Sequence, residues 1–325
     1  MKILKNTLLI SVAFCLLMCG CNPGPDKLLK KANRLFADKN YMQAVTYYSR
    51  VIELNPNSVM AYSKRAMAYE KIFDNKKALE DYKKAISLDS SNLKVYNNLG
   101  SLCVKISLYD DAVKYLTQAI AINPEYQLAH INRGAAYMKL KKYDASLSDF
   151  GTVIELNPKS IVAYYNRGLV YVELKRYANA IDDFNKTLTL NKKFIRGYYE
   201  LSKVYLEQKN YKSALENFKK VIASGTRDGM LYYNSAICAS NLDMKQEAIK
   251  YVDRALEITV DNPAFYELRG DLTYEYDPEF AWQNYMYAAN LDPQNVAKYQ
   301  SKIDKIKKYL TEYSKKDSSV EETDL

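Results

Sequence analysis

The sequence predicts an all-α protein built from tandem helical hairpins, and three observations lead to this prediction. The chain matches itself when it is shifted by 34 residues: "YYNRGLVY" at 164–171 aligns with "HINRGAAY" at 130–137. Within each period, apolar and small residues recur at the i, i+4, i+7 spacing of one helix face. The chain also has only 10 Gly and 8 Pro in 325 residues, which argues against an all-β protein with many tight turns.

Eight repeats account for residues 25–295, and we call the position of a residue within its repeat its place. The last repeat is one residue short, in the turn at 276–278. The predicted repeats span residues 25–58, 59–92, 93–126, 127–160, 161–194, 195–228, 229–262 and 263–295.

Small residues at two places predict that the two helices of each repeat pack closely. Place 20, in the second helix, is Ala in seven repeats and Ser146 in the other. Proline cannot continue the helical hydrogen bonds, so the four prolines near place 32 predict where second helices end. Place 8, in the first helix, is Ala32, Ala66, Gly100, Gly134, Gly168, Ser202, Ala236 and Gly270. The prolines are Pro56, Pro124, Pro158 and Pro293.

This pattern resembles the tetratricopeptide repeat, a helix–turn–helix unit of 34 residues. The resemblance implies a right-handed superhelical solenoid whose first helices line a concave groove. It also implies a protein that binds other proteins through extended segments, with no cofactor and no catalysis. Catalytic motifs are missing from the sequence: it has no Gly-rich phosphate loop, no G-x-S-x-G and a single histidine.

The C-terminal residues depart from the repeat. Apolar residues spaced 3-4-3-4-3 predict an amphipathic capping helix over 296–316, of the kind that terminal repeats need for solubility. The polar, acidic segment 317–325 is predicted to be disordered. The apolar positions of the predicted helix are Val296, Tyr299, Ile303, Ile306, Leu310 and Tyr313.

The N-terminal residues resemble a bacterial lipoprotein signal peptide. Lys2 and Lys5 precede an apolar run, residues 8–18, that is too short to span a bilayer as a helix. Gly20 directly before Cys21 resembles a lipobox, which implies a signal peptide over 1–20 and a lipid on Cys21. The alternative is an ordinary signal peptide that contains cysteines.

The lipoprotein resemblance implies attachment to a membrane of the bacterial cell envelope. Residues 21–24 form a short tether. Asn22, rather than Asp, follows the cysteine, which by the enterobacterial sorting pattern favours the outer membrane, facing the periplasm. Removal of Lys2 and Lys5 lowers the formal charge from +9 to +7, and the basic residues are dispersed, so we expect no nucleic-acid partner.

Two rows of residues are candidates for the peptide-binding groove. The resemblance implies that asparagines at place 6 hold a peptide backbone, because a carboxamide both donates and accepts hydrogen bonds. Tyrosines at place 5 are predicted to face the same groove as anchors for a partner. The asparagines are Asn98, Asn132, Asn166 and Asn234, and the tyrosines are Tyr165, Tyr199 and Tyr233.

Other interpretations of these rows remain open. The asparagines can instead bridge neighbouring first helices, and the tyrosines can pack at helix edges. A third interpretation, a cell-wall glycan-binding module, uses Tyr165, Tyr199 and Tyr233 to stack sugars.

The remaining notable residues have structural interpretations. Arg65, Arg133, Arg167 and Arg269 stand at place 7, and three of those repeats have Asp at place 23, which predicts an ion pair between helices. We expect each pair to contribute roughly 0–1 kcal/mol if it is exposed. His130 occupies a core place, and Cys103 and Cys238 lie on apolar faces as free thiols. The three aspartates are Asp81, Asp149 and Asp183.

Overall fold

The structure is a computed structural model that describes residues 23–321, with side chains up to residue 311. The predicted signal peptide, 1–20, and Cys21 lie outside the described residues. The described part holds seventeen α-helices and no strand, as predicted. The helices form two compact units, unit 1 up to Ala163 and unit 2 from Tyr164.

Each repeat is a pair of antiparallel helices, and every first helix begins at the predicted first residue of its repeat. The first four pairs are Pro25–Ala37 with Tyr41–Leu54 (α1, α2), Val59–Lys71 with Asn75–Leu88 (α3, α4), Leu93–Lys105 with Tyr109–Ile122 (α5, α6), and Gln127–Lys139 with Tyr143–Leu156 (α7, α8). The next four are Ile161–Glu173 with Tyr177–Leu190 (α9, α10), Ile195–Glu207 with Tyr211–Ala223 (α11, α12), Gly229–Ser240 with Lys245–Ile258 (α13, α14), and Pro263–Thr273 with Pro278–Leu291 (α15, α16).

The turns between paired helices share an unusual backbone conformation. In the first seven repeats, the residue at place 15 has a positive φ between 55° and 64° although it is not glycine. A left-handed conformation costs an L-residue roughly 1–2 kcal/mol, so each turn stores strain that the helix packing overcomes. These residues are Lys39, Phe73, Ser107, Lys141, Lys175, Lys209 and Asp243.

The small residue at place 8 lies against the large residue at place 24 of the same repeat. A Cβ added to Gly168 would come within 2.7 Å of the Phe184 ring, and one added to Gly100 within 2.4 Å of Leu116 Cγ. Ser146 at place 20 donates a hydrogen bond to the Gly134 carbonyl at 2.7 Å. The close approach that the sequence predicts is therefore confirmed.

The second helices end where the prolines predict. Leu54, Ile122, Leu156 and Leu291 each end a second helix two residues before a proline. In three of the repeats without this proline, the second helix ends at the same place. In the repeat from 195 it ends one residue earlier. A proline is therefore not required for a second helix to end at this place.

The predicted ion pairs between places 7 and 23 are present, and they are more buried than expected. Arg167 donates two hydrogen bonds to Asp183, both at 2.8 Å, and the carboxylate is buried. Arg65–Asp81 and Arg133–Asp149 have the same two-bond geometry. Because the carboxylates are buried, the estimate for an exposed pair does not apply to them, and removing one partner costs about 3–5 kcal/mol.

These arginines also reach the second helix of the preceding repeat. Arg65 donates to Ser49 at 2.9 Å, and Arg133 donates to Thr117 at 3.1 Å. Arg269 likewise donates to Asp253 on the preceding second helix. In its own repeat it donates to Asn284, which stands at place 23 instead of an aspartate. Arg65, Arg133 and Arg269 therefore each connect three helices.

His130 is a buried core residue with both ring nitrogens engaged. Its Nδ1 lies 2.7 Å from Asp149 Oδ1, and its Nε2 lies 2.9 Å from the Pro124 carbonyl. Cys103 and Cys238 are buried free thiols. Burial raises the pKa of Cys103 to about 11 and that of Cys238 to about 12, so both behave as small apolar residues.

The last helix, Val296–Glu321 (α17), packs on the second helix of the last repeat and follows a short 3₁₀ turn, Pro293–Asn295. Tyr299, Ile303 and Ile306 are buried. Ile303 is the eighth residue of the helix, where every repeat has Gly, Ala or Ser. A second helix could not pack as closely against Ile303 as second helices pack against the small residue at place 8 of the repeats.

The length of this helix differs from the prediction. It runs five residues past the expected end at 316, so residues 317–321 are helical rather than disordered. No glycine or proline in that segment stops the helix. Residues 322–325 lie outside the described residues.

Candidate binding face of the first helices

Successive first helices lie side by side and form a common face within each unit. In unit 1, Leu93–Lys105 contacts Gln127–Lys139 directly, and in unit 2 Gly229–Ser240 contacts Pro263–Thr273. Places 5 and 6 of these helices hold the residues proposed from the sequence. We call this surface the first-helix face.

One of the pockets of unit 1 opens on this face beside Asn98, and we call it the unit 1 pocket. It has a volume of about 170 Å³ and is lined by Met67, Glu70, Lys71, Tyr82, Asn98 and Ser101. Tyr82 donates a 2.6 Å hydrogen bond to Glu70, so that carboxylate is already engaged by its own repeat.

Asn132, one repeat further, has a different environment. Its amide donates a 3.1 Å hydrogen bond to Asn97 Oδ1 on the neighbouring first helix. Asn132 thus bridges two first helices, which is the structural alternative considered for the asparagines. The same alternative does not apply to Asn98, whose carboxamide makes no hydrogen bond with the side chains of residues 23–311.

The unit 2 pocket is larger and draws on three consecutive repeats. Its volume is about 250 Å³, and Asn234 lines one side. Glu200, the residue that interrupts the asparagine row, lines it together with Lys203, and the two side chains form an ion pair at 3.0 Å. The other lining residues are Val172, Tyr177, Val204, Leu206 and Glu207.

Asn166 and Asn234 complete the asparagine row in unit 2, and both are partly buried. Within residues 23–311, neither carboxamide hydrogen-bonds another side chain. Both can therefore offer a donor and an acceptor to a bound peptide.

The three candidate tyrosines are partly buried against phenylalanines. Tyr165 packs edge-on to Phe194, with ring centroids 5.1 Å apart, and also contacts Phe184. Burial raises the pKa of Tyr165. Packing at the helix edge therefore accounts for part of the buried surface of the Tyr165 ring.

The other two tyrosines have similar surroundings. Tyr199 packs on Phe218, and its hydroxyl donates a 3.4 Å hydrogen bond to Asp228. Tyr233 stacks on Phe265 with centroids 4.9 Å apart, so one face of the Tyr233 ring is covered. Burial, and after it the Asp228 carboxylate, raises the pKa of Tyr199 to about 12.

Several residues of the two pockets were not candidates in the sequence. Place 12, which contributes Glu70, Val172 and Leu206, lines both pockets but was not expected to face inward. Glu200 was visible only as a break in the asparagine row. That break was the available signal, since Glu200 puts a charge between Asn166 and Asn234 in a row of neutral amides.

The described part of the chain has neither a metal-binding cluster nor a membrane-spanning helix. No three His, Cys, Asp or Glu side chains come together there as metal ligands. No helix there has the length and apolar character needed to cross a membrane.

Profiles of the tetratricopeptide repeat family match most of the chain. The matched residues are 29–92, 93–126, 128–160, 161–194, 195–224 and 231–261. The chain belongs to the tetratricopeptide repeat family. These limits agree with the repeats of the structure, because the matches at 93–126 and 161–194 coincide with whole repeats.

Curated relatives of this tetratricopeptide repeat protein match it only over short stretches. Hsp70-Hsp90 organizing protein 3 of Arabidopsis thaliana is 42% identical over 52 residues, 16% of this chain and 9% of that protein. Dynein axonemal assembly factor 4 of Mus musculus is 42% identical over 57 residues, 18% of this chain and 14% of that protein. These matches thus span a small part of either relative.

Solved structures support the fold over a larger part of the chain. A tetratricopeptide repeat protein from Parabacteroides merdae is 22% identical, with a TM-score of 0.55 over 77% of this chain and 98% of that one. PilW, a type IV pilus biogenesis factor, is 19% identical, with a TM-score of 0.56 over 61% of this chain and 92% of that one. These likenesses show the all-α repeat fold alone.

Proposed function

We propose that this protein is a lipid-anchored scaffold of the bacterial cell envelope that binds extended segments of partner proteins on its first-helix face. It acts by binding and holding partners rather than by catalysis. The observation that carries this proposal is a pocket on that face in each unit, bordered by Asn98 in unit 1 and by Asn234 in unit 2. The partial match to a protein named as an organizer of two others is consistent with a binding role.

The available polar groups support recognition of a peptide backbone, but they limit its strength. Within unit 2, Asn166 and Asn234 each offer a carboxamide, and a neutral hydrogen bond contributes about 1 kcal/mol net. Two such bonds give about 2 kcal/mol, which alone is weaker than millimolar affinity. Side-chain pockets must therefore supply most of the remaining affinity.

The position of the N-terminus supports a membrane anchor. The first helix begins at Pro25, so residues 21–24 reach at most about 13–14 Å from Cys21. In antiparallel helix pairs, first helices start and second helices end at one edge of the stack. Leu54, Met60 and Leu128 lie at this edge of unit 1 and are 48–56% exposed, which suits an edge held near lipid. Outer-membrane attachment facing the periplasm remains our preferred location, on the basis of Asn22.

The anchor is tested on the mature protein. Mass spectrometry of its N-terminal peptide is expected to give a diacyl or triacyl mass on Cys21, and membrane fractionation is expected to place it with outer-membrane markers. A Cys21→Ala variant should remain unprocessed. A mature N-terminus without lipid would contradict the proposed lipid anchor but would not bear on partner binding by the first-helix face.

The binding face is tested by capture of partners from envelope extracts with the soluble 22–325 form. Paired changes in unit 2, Asn166→Ala with Asn234→Ala, should weaken capture, whereas Lys84→Ala, on an exposed second-helix surface, should not. Equal capture by both variants would exclude the first-helix face. Binding to purified cell-wall fragments without any protein partner would favour the glycan alternative, for which Tyr233 offers one ring face because Phe265 covers the other.

A further inference from the structure

The unit 2 pocket combines an apolar wall with a charged end. Val172 and Leu206, both at place 12, supply the apolar wall from two consecutive repeats. Glu200 supplies the carboxylate, and its side chain is only 18% exposed. Glu207 adds a second carboxylate from the same helix, so the lining has two acidic groups and one basic group.

We propose that this pocket binds a lysine or arginine side chain of an extended partner segment and so selects where a basic residue stands in that segment. The inference rests on the proposed function, since it names the partner chemistry of the same face. The methylene stem of the basic side chain lies along Val172 and Leu206, and its charged end meets Glu200. Long basic side chains are suited to this arrangement because their stems are apolar and only their ends are charged.

Lys203 occupies this charged end in the protein alone. Its ammonium pairs with Glu200 at 3.0 Å from the same helix, one turn away, and its side chain is 47% exposed. Its other close neighbour is the Tyr199 ring, 5.6 Å from the ammonium. Because the Lys203 ammonium is itself half-exposed, the pair contributes little to stability, so a partner's cation can replace Lys203 at Glu200.

The unit 1 pocket shows why the preference belongs to unit 2. There the place-12 carboxylate, Glu70, accepts a hydrogen bond from Tyr82 at 2.6 Å. Lys71 also lines that pocket, and its positive charge opposes a basic side chain. At the place of Glu200, the unit 1 pocket therefore has the neutral amide of Asn98, and the one carboxylate that lines it is engaged by Tyr82.

The test uses the soluble 22–325 form and a library of unstructured nine-residue peptides. One position at a time is fixed as Lys, Arg, Gln or Glu, and binding is measured by fluorescence anisotropy. We expect Lys and Arg at one position to bind about tenfold or more tightly than Gln, as a charge-assisted hydrogen bond provides. Higher salt should reduce this preference.

Two variants then locate the preference, and they are expected to act in opposite directions. Glu200→Gln should reduce the Lys-over-Gln preference to about twofold or less. Lys203→Ala should raise the affinity for the Lys peptide about threefold, because the competing ammonium is gone, and a purely structural role for the pair would not produce this sign. Glu216→Gln, on the exposed surface of a second helix in unit 2, is the matched control and should leave the preference unchanged. Thermal melting of each variant checks that the fold is intact.

The outcomes separate this inference from the proposed function. Peptide binding with no preference for Lys or Arg, or with a preference that persists in Glu200→Gln, would contradict recognition of a basic side chain by this pocket. It would not contradict peptide binding on the first-helix face. Failure of every peptide to bind would overturn both.

Discussion

The pockets of unit 1 and unit 2 lie at related places of the repeat and differ in almost every side chain. The unit 1 pocket has Glu70 engaged by Tyr82 and a lysine beside it. The unit 2 pocket has Glu200 and Glu207 with an apolar wall. The helix pairs beneath them are alike, because the small residue at place 8 packs against the large residue at place 24 in both units. The scaffold therefore fixes where a pocket opens, and the lining residues decide what it binds.

This comparison predicts that substitutions in the helix packing lower stability in whichever unit they are made. Substitutions in the lining of a pocket should change binding only in the unit that contains that pocket. Arg167→Leu should have the largest effect. It leaves the buried Asp183 carboxylate unpaired, and we expect a loss of about 3–5 kcal/mol in the unfolding free energy of unit 2, measured by urea denaturation. Arg65→Leu should cost unit 1 a similar amount.

A compensating change sharpens this test. The repeat from 195 has Leu201 and Asn217 at places 7 and 23, so Arg167→Leu with Asp183→Asn copies a combination that the fold already contains. The double variant should recover most of the lost stability. A cost below about 1 kcal/mol for Arg167→Leu alone would mean that the pair behaves as an exposed one.

Alanine at place 8 should have the next largest effect. Gly168→Ala puts a Cβ within 2.7 Å of Phe184, and overpacking of this kind costs about 1–3 kcal/mol. Gly151→Ala is the control, because nothing lies within 4 Å of its added Cβ, and it should stabilise the protein by about 0.5–1 kcal/mol. Thermal melting measures both, and the same sign for the two variants would contradict the packing account.

Removal of single carboxamides should change binding by less. Asn98→Ala should weaken a peptide bound at the unit 1 pocket by about 1 kcal/mol, roughly fivefold. Asn132→Ala should affect peptide affinity less, since its amide already bonds Asn97. Isothermal titration with one peptide compares the two, and a larger effect at Asn132 would reverse the assignment of these asparagines.

Glycine at place 15 should have the smallest effect, and the same effect in either unit. Lys141→Gly and Lys175→Gly relieve the left-handed strain, and after the entropy cost of glycine each should stabilise by about 0.5–1 kcal/mol. Lys142→Gly is the matched control, because φ there is −86° and glycine offers no relief. Urea denaturation measures the three, and a stabilising Lys142→Gly would show that strain is not the cause.

The sequence predicted the helix pairs well because the contacts that define a repeat are local. Place 8 meets place 24, only 16 residues away, so the starting residue of every first helix and the Arg167–Asp183 pair were predictable. The C-terminal helix was less predictable. The apolar stripe of this helix predicted that a helix is present, but no residue between 317 and 321 indicates where the helix ends.

The binding face was predictable only in part. The row at place 6 was visible, but whether an asparagine stays available depends on how close the next first helix lies. Asn132 reaches Asn97 on the neighbouring helix, whereas Asn98 has no such bond within the described side chains. The engagement of Glu70 by Tyr82 is likewise a contact between helices that no periodicity in the sequence reveals.

The most direct test of the account is site-specific photo-crosslinking of the protein in its native envelope. A crosslinking residue placed at Asn98 or at Asn234 should capture a partner protein, and excess Lys-containing peptide should suppress capture at Asn234. The same residue placed at Lys84 or Lys186, on exposed parts of second helices, should capture little. Strong capture at Lys84 and Lys186, with none at Asn98 and Asn234, would contradict the claim that the first-helix face binds the partner.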